Sequence, residues 1–260
     1  MQEILDINQI QQFIQQGFIR IDNAFSAEIA QEARAILWAD TGCDPADSTT
    51  WTKPVIRLGM YTQEPFVKAA NTQVLHAAFN QLVGQNNWIP CMSMGTFPVR
   101  FPSDEDPGDG GWHVDAGFPG ADPNNYFEWR VNVHSKGRAL LMLFLFSDVS
   151  EKDAPTRIRV GSHLDVAKVL QAEGEEGLSF MELAMKLPEM PVREQALATG
   201  KAGTVYLCHP FIAHAAQPHH GTEPRFLAQP PLLLRNNLVI ENTDKDYTPL
   251  EEAIRLGLNT

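Results

Sequence analysis

The chain has 260 residues, 43% of them hydrophobic, and 20 Lys+Arg stand against 32 Asp+Glu, a formal charge of −12. One core can grow to ~250–300 residues before chains usually split, so a single large domain is expected. The acidic balance, with no Lys/Arg cluster, argues against nucleic acid and anionic membranes as partners, since either needs a basic face. The longest apolar run, Ala139 to Phe146, is far shorter than the ~20 residues of a membrane-spanning helix. The first basic residue is Arg20 and no charged-then-apolar leader precedes it, which predicts no export signal and a cytoplasmic location. Cys43, Cys91 and Cys208 are scattered and read as reduced thiols.

In chain order, Ile10, Phe13 and Ile14 repeat at helical spacing over 8–16, with Gly17 as the stop, and Phe18 to Ile21 reads as a short strand. Ser26 can cap a helix that carries Ile29, Ala33, Ile36 and Leu37 on one face and ends at Gly42. A third helix holds Leu75, Ala78, Phe79 and Leu82 and closes at Gly84. From Trp88 onward, short apolar runs broken by Pro and Gly predict antiparallel strands closed into a sandwich or barrel. Val131–His134 and Arg138–Ser147 read as a hairpin around Ser135-Lys136-Gly137, and the second strand, apolar on both faces, should be central. Leu164–Gln171, capped by Ser162, and Phe180–Leu187 read as helices. Thr204–Cys208 and Phe226–Leu234 read as strands.

Gly110-Gly111-Trp112-His113-Val114-Asp115 is the most informative stretch. Residues two apart on an extended chain face the same way, so His113 and Asp115 can offer an imidazole nitrogen and a carboxylate oxygen to one point. Two His and one carboxylate with open positions is the ligand set of non-heme Fe(II) oxygenases. The third ligand must come from the His-rich segment, where His209, His214, His219 and His220 are available. Pro218, Gly221 and Pro224 favour a reversal that sets His214 and Arg225 on neighbouring strands, and a guanidinium there can grip a carboxylate bidentately.

The His-x-Asp pair, His214, Arg225 eleven residues beyond it, Gly161-Ser162-His163 and the opening run Gly17 to Ser26 together resemble the phytanoyl-CoA dioxygenase-like family of Fe(II)/2-oxoglutarate oxygenases. That resemblance implies a mainly β fold with flanking helices: a double-stranded β-helix (jelly roll, cupin-like) over 88–240, a helical N-terminal region over 1–87 and a C-terminal tail with a short helix over 241–260, all one domain. It implies that His113, Asp115 and His214 bind Fe(II) and that Arg225 pairs with the distal carboxylate of 2-oxoglutarate; Thr156, on the strand leading to Gly161-Ser162-His163, is a further candidate for contacting 2-oxoglutarate. It further implies that O2 is the oxidant, that a small molecule is hydroxylated, and that succinate and CO2 are released. It also sets Asp115 apart from halogenating relatives, which carry a small residue there. Val160, Val114 and Ala154 depart from the family's usual Pro, Gln and Gly, and no acyl-CoA substrate is inferred.

Trp112, Phe118 and Arg130 are the substrate-contact candidates, among the aromatics Tyr126, Phe127 and Trp129 and the arginines Arg57, Arg100, Arg138, Arg157 and Arg159. Nothing in the sequence indicates tethering to a carrier protein. Two other classes fit the same ligands: a Zn or Mn enzyme on a cupin-like barrel without 2-oxoglutarate, and a non-catalytic binding barrel.

Overall fold

Asp6 opens α1 (Ile7–Gln16) with a capping box: its carboxylate accepts from the Gln9 amide at 2.9 Å, and the Gln9 side chain accepts from Asp6 N–H. Gly17 ends the helix at φ 85° and hands the chain straight to β1 (Phe18–Ile21). A Cβ at Gly17 would lie 2.5 Å from His163 Nδ1, so both the turn and the close approach require glycine. Ser26 caps α2 (Ala27–Thr41), which stops at left-handed Gly42. Then come β2 (Val55–Leu58), α3 (Glu64–Ala70) and α4 (Gln73–Val83), the last capped by Thr72. The computed structural model describes residues 3–241 and 246–259.

Past Trp88 the chain forms β3 (Trp88–Ile89), β4 (Phe97–Arg100), β5 (Arg130–Val131), β6 (Arg138–Leu145) and β7 (Arg157–Arg159). α5 (Ser162–Gln171), β8 (Leu178–Ser179) and α6 (Phe180–Lys186) interrupt the strands. β9 (Gln195–Leu197), β10 (Val205–Cys208), β11 (His214–Ala215), β12 (Leu227–Ala228), β13 (Pro231–Leu234) and α7 (Pro249–Leu258) complete it. The main sheet runs β1-β10-β6-β13-β3, with β12 also on β6, and its pairings are antiparallel.

All eight residues of β6 are buried because its two faces pack into different clusters. Leu141, Leu143 and Leu145 join Phe18, Ile158, Tyr206 and Cys208, whereas Leu140, Met142 and Phe144 join Phe25, Phe66 and Phe79 from the helical region. Ile158 belongs to a second antiparallel sheet, β11-β7-β9, so the first cluster is the filling between two layers. The N-terminal third is therefore more than a helical flank: β1 is the edge strand of the main sheet, and β2 pairs with β4.

Three local expectations are corrected. The hairpin does not form, because β5 pairs with β8 (Arg130↔Ser179, Val131↔Leu178) and not with β6. The turn does reverse the chain, through Ser135 N–H to Asn132 O at 2.9 Å and Arg138 N–H to Ser135 O at 3.1 Å, but the Asn132 side-chain amide donates to Glu175 O and draws the incoming segment toward the β8 loop. Ser162 is not the cap of α5: left-handed Gly161 takes that position, and the Ser162 hydroxyl instead accepts from Ala213 N–H at 2.8 Å. The Phe226–Leu234 strand is split into β12 and β13 around Gln229-Pro230, and the β13 register shifts on β6 between Leu232 and Leu233. Of the expected tail, 242–245 and 260 lie outside the described residues, and α7 is its short helix, opened by a Thr248/Glu251 capping box.

Candidate metal centre

Val114 is fully buried, and its neighbours His113 and Asp115 turn the other way. His113 is held by main-chain pairing with His214: each N–H donates to the other's carbonyl, at 3.0 and 2.9 Å. Since the β11 partner of His214 is Ile158, both rings project into the space between the layers. The ring centroids are 4.3 Å apart, and each Nε2 lies 3.9 Å from Asp115 Oδ1. One ligand atom from each of the three residues falls within 4.8 Å of the others.

Protonation suits a cation here. A carbonyl can only accept, so His113 Nδ1 donates to Gly111 O at 3.0 Å and His214 Nδ1 to Ile212 O at 3.3 Å, leaving both Nε2 lone pairs free. Burial, and then the neighbouring His113, push the His214 pKa down to about 4, so its ring is neutral at pH 7. For Asp115, burial acts upward, but the Arg138 guanidinium, followed by the two imidazoles, overcomes it and holds the carboxyl below its ordinary value. Arg138 Nη1 meets Asp115 Oδ2 at 3.1 Å while Nη2 donates to Ala116 O at 3.1 Å. Oδ1 is thereby left to face the imidazoles.

A cavity of about 260 Å³ opens beside His113 and His214. Thr156, buried on the approach to β7, and Arg225 line it with Arg57, Arg100 and Asp109. Arg225 is 2% exposed and donates to Ala154 O and Pro98 O, its Nε having no partner. Burial and then Arg100 press its pKa down to about 9, which still leaves it charged at neutral pH. A buried guanidinium without an acid of its own is a seat for an anion.

Trp112, Phe118 and Arg130 do not line that cavity. The Trp112 ring lies under two cations, Arg159 at 4.5 Å and Arg157 at 5.0 Å. Phe118 pairs with Arg130 through the main chain and carries Lys136 at 5.0 Å over its ring. The Arg130 side chain donates to Glu176 O and Gly177 O, bracing the loop before β8. His209 packs on His163, and His219 contacts Glu223 O, and neither joins His113, Asp115 and His214 in the cluster found among the described residues. The residues that do adjoin His113 include Phe180, at 5.4 Å between ring centroids, with Tyr126 and Phe127 against Phe180. Phe180, the Arg138–Asp115 pair and Asp109 carry no sequence signal, because each depends on two distant segments meeting.

A model of the phytanoyl-CoA dioxygenase (PhyH) family matches residues 13–227. The chain belongs to that family. The match takes in every residue of the metal cluster and Arg225. Among solved structures, this PhyH-family chain is similar to HygX from Streptomyces hygroscopicus, solved with nickel, 2-oxoglutarate and hygromycin B, at 16% identity and TM-score 0.52 over 86% of each chain. It is also similar to the non-heme alpha ketoglutarate dependent carbocyclase SnoK from nogalamycin biosynthesis, at 14% identity and TM-score 0.56 over 88% of this chain and 84% of that one. The epimerase SnoN, in complex with Fe3+, alpha ketoglutarate and nogalamycin RO, gives 15% identity and TM-score 0.54 over 87% of this chain and 82% of that one. These likenesses establish a shared fold. No curated protein matches the sequence. No helix among the described residues is long and apolar enough to cross a membrane.

Proposed function

We propose that this PhyH-family chain is an Fe(II)- and 2-oxoglutarate-dependent oxygenase that hydroxylates a small molecule. The observation that carries this is the adjacency of the three-donor cluster and the buried guanidinium: His113 and His214 line the same cavity as Arg225 and Thr156. The donor set fits the metal, since two imidazole nitrogens and one hard carboxylate oxygen on one side of an ion suit Fe(II) and leave other positions open. The far end fits a dicarboxylate, since Arg225 Nε and Arg100 Nε are buried donors without partners. The binding of 2-oxoglutarate by HygX and of alpha ketoglutarate by SnoN supports the same assignment.

When bound, iron supplies the redox chemistry that couples decarboxylation of 2-oxoglutarate by O2, giving succinate and CO2, to oxidation of a substrate C–H bond. The protein's own residues have narrower tasks. His113, Asp115 and His214 hold the metal, Arg138 keeps Asp115 ionised and presents one oxygen, and Arg225 with Thr156 orients the cosubstrate from its distal carboxylate. Phe180 packs on His113, and Tyr126 packs on Phe180 behind it, which would limit access of water. Hydroxylation is the outcome we assign; the carbocyclase SnoK and the epimerase SnoN mark ring closure and epimerisation as the competing ones. We read residues 1–260 as one domain whose core, the main sheet facing β11-β7-β9, is the double-stranded β-helix.

The test is anaerobic addition of Fe(II) and then 2-oxoglutarate. A weak visible absorption band that needs both components, followed by succinate release in air with a metabolite panel, is the expected result. Failure to take up Fe(II), or uptake with no response to 2-oxoglutarate, would remove the assignment in favour of another metalloenzyme or a binding barrel.

A further inference from the structure

Three guanidiniums, from Arg57, Arg100 and Arg225, line the cavity beside the metal cluster, and Asp109 is the carboxylate among them. Arg100 and Arg225 are direct main-chain partners, with N–H to O distances of 3.1 and 2.8 Å, and their side chains are both buried. Like charges are thus forced together where water cannot screen them. Asp109 answers with a single oxygen: its Oδ2 accepts from Arg57 Nη2 at 2.5 Å and from Arg100 Nη2 at 2.6 Å. Its Oδ1 is buried with no hydrogen-bond partner, and so is the Nε of Arg100. A carboxylate seated for permanent duty on an arginine would engage both nitrogens of the fork; this one leaves donors and an acceptor unused on both sides.

We propose that Asp109 is an internal counter-ion of the cosubstrate pocket, which neutralises the guanidinium cluster when the pocket is free and competes with an incoming dicarboxylate for Arg100 and Arg57. The inference rests on the oxygenase reading above and adds the residue that sets cosubstrate affinity. Asp109 is placed to yield. It sits on the loop between β4 and His113, its side chain is a quarter exposed, and its hydrogen bonds are to those two arginines. A dicarboxylate that brings its own charge and a better fork replaces it, and the Asp109 side chain turns to solvent. Because Asp109 stabilises only the unliganded state, its removal must destabilise that state and tighten binding together.

The experiment compares wild type with Asp109→Asn, which keeps shape and removes charge, and with Asp109→Ala. Each is loaded with Ni(II), titrated calorimetrically with 2-oxoglutarate, and melted with and without it. The expected result is a dissociation constant roughly tenfold lower in both variants, the scale of an ordinary coupling between two groups at one site, with a lower melting temperature of the unliganded protein. A larger rise in melting temperature on adding 2-oxoglutarate should accompany it. Adding Arg100→Gln to Asp109→Asn should return the affinity to the wild-type level or below.

Unchanged or weaker binding in the variants would show that Asp109 merely orients Arg100, and the proposal would fall while the oxygenase reading stood. Variants that fold only in the presence of 2-oxoglutarate support it; variants that fold in neither condition make Asp109 a structural anchor and overturn it. If metal-loaded wild type binds no 2-oxoglutarate, both readings fall together.

Discussion

His113 and His214, about a hundred residues apart in the chain, exchange a reciprocal pair of main-chain hydrogen bonds at 3.0 and 2.9 Å. The spacing of the two imidazoles is therefore a property of the backbone. His214→Ala or Asp115→Ala should leave the fold intact and abolish stoichiometric metal uptake. Metal content after dialysis, beside a circular dichroism spectrum, checks this; a His214→Ala protein that keeps its full complement of metal would refute the ligand set.

Among the three donor residues, Arg138 forms its ion pair with Asp115. Arg138→Met should weaken Co(II) or Fe(II) affinity by about 10–100-fold, the usual cost of losing a partner behind a ligand. Arg138→Lys, which keeps the charge and loses the fork, should recover part of it. Equal metal affinity in wild type and Arg138→Met would show that the 3.1 Å contact does not govern how Asp115 is presented.

Arg225 lines the same cavity as His113 and His214, and its side chain donates to Ala154 O and Pro98 O rather than to the three donor residues. Arg225→Ala should retain the metal and lose the thermal stabilisation by 2-oxoglutarate. Arg225→Lys should fall between, because an ammonium cannot offer two parallel donors.

His163 lies wholly buried against His209 and donates from Nε2 to Ile14 O at 3.0 Å. Burial drives its pKa down to about 4 from an ordinary 6.5. The unfolded chain thus binds the proton more readily than the folded one, so the stability held by neutral His163 is complete above pH 6.5 and is lost as pH falls toward 4. Between pH 7 and pH 5 this residue alone should cost about 2 kcal/mol. Denaturant melts at both pH values test it, and His163→Leu should narrow the difference by that amount.

Gly17→Ala should destabilise the protein by on the order of 2 kcal/mol, from a left-handed backbone and a Cβ driven into His163 and Ile212. A thermal melt unchanged within a degree would contradict the tight packing of that turn.

The sequence by itself determined the helix ends at Gly17 and Gly42, the central position of β6 and the shared face of His113 and Asp115, because capping, apolar runs and strand alternation are all local rules. It also carried the ordered set of motifs by which the family is known. Tertiary structure decided the rest. Arg130 is a substrate-contact candidate by sequence, with Arg138 among the arginines beside it, but the β8 loop engages the Arg130 guanidinium and the fold sets Arg138 on Asp115. Asp109 is one acid among several in an acidic loop until β2 and β4 bring Arg57 and Arg100 to it. A side chain's role here depends on which charge it meets, and the meeting partners lie on segments joined only by sheet register and core packing, which no local pattern encodes.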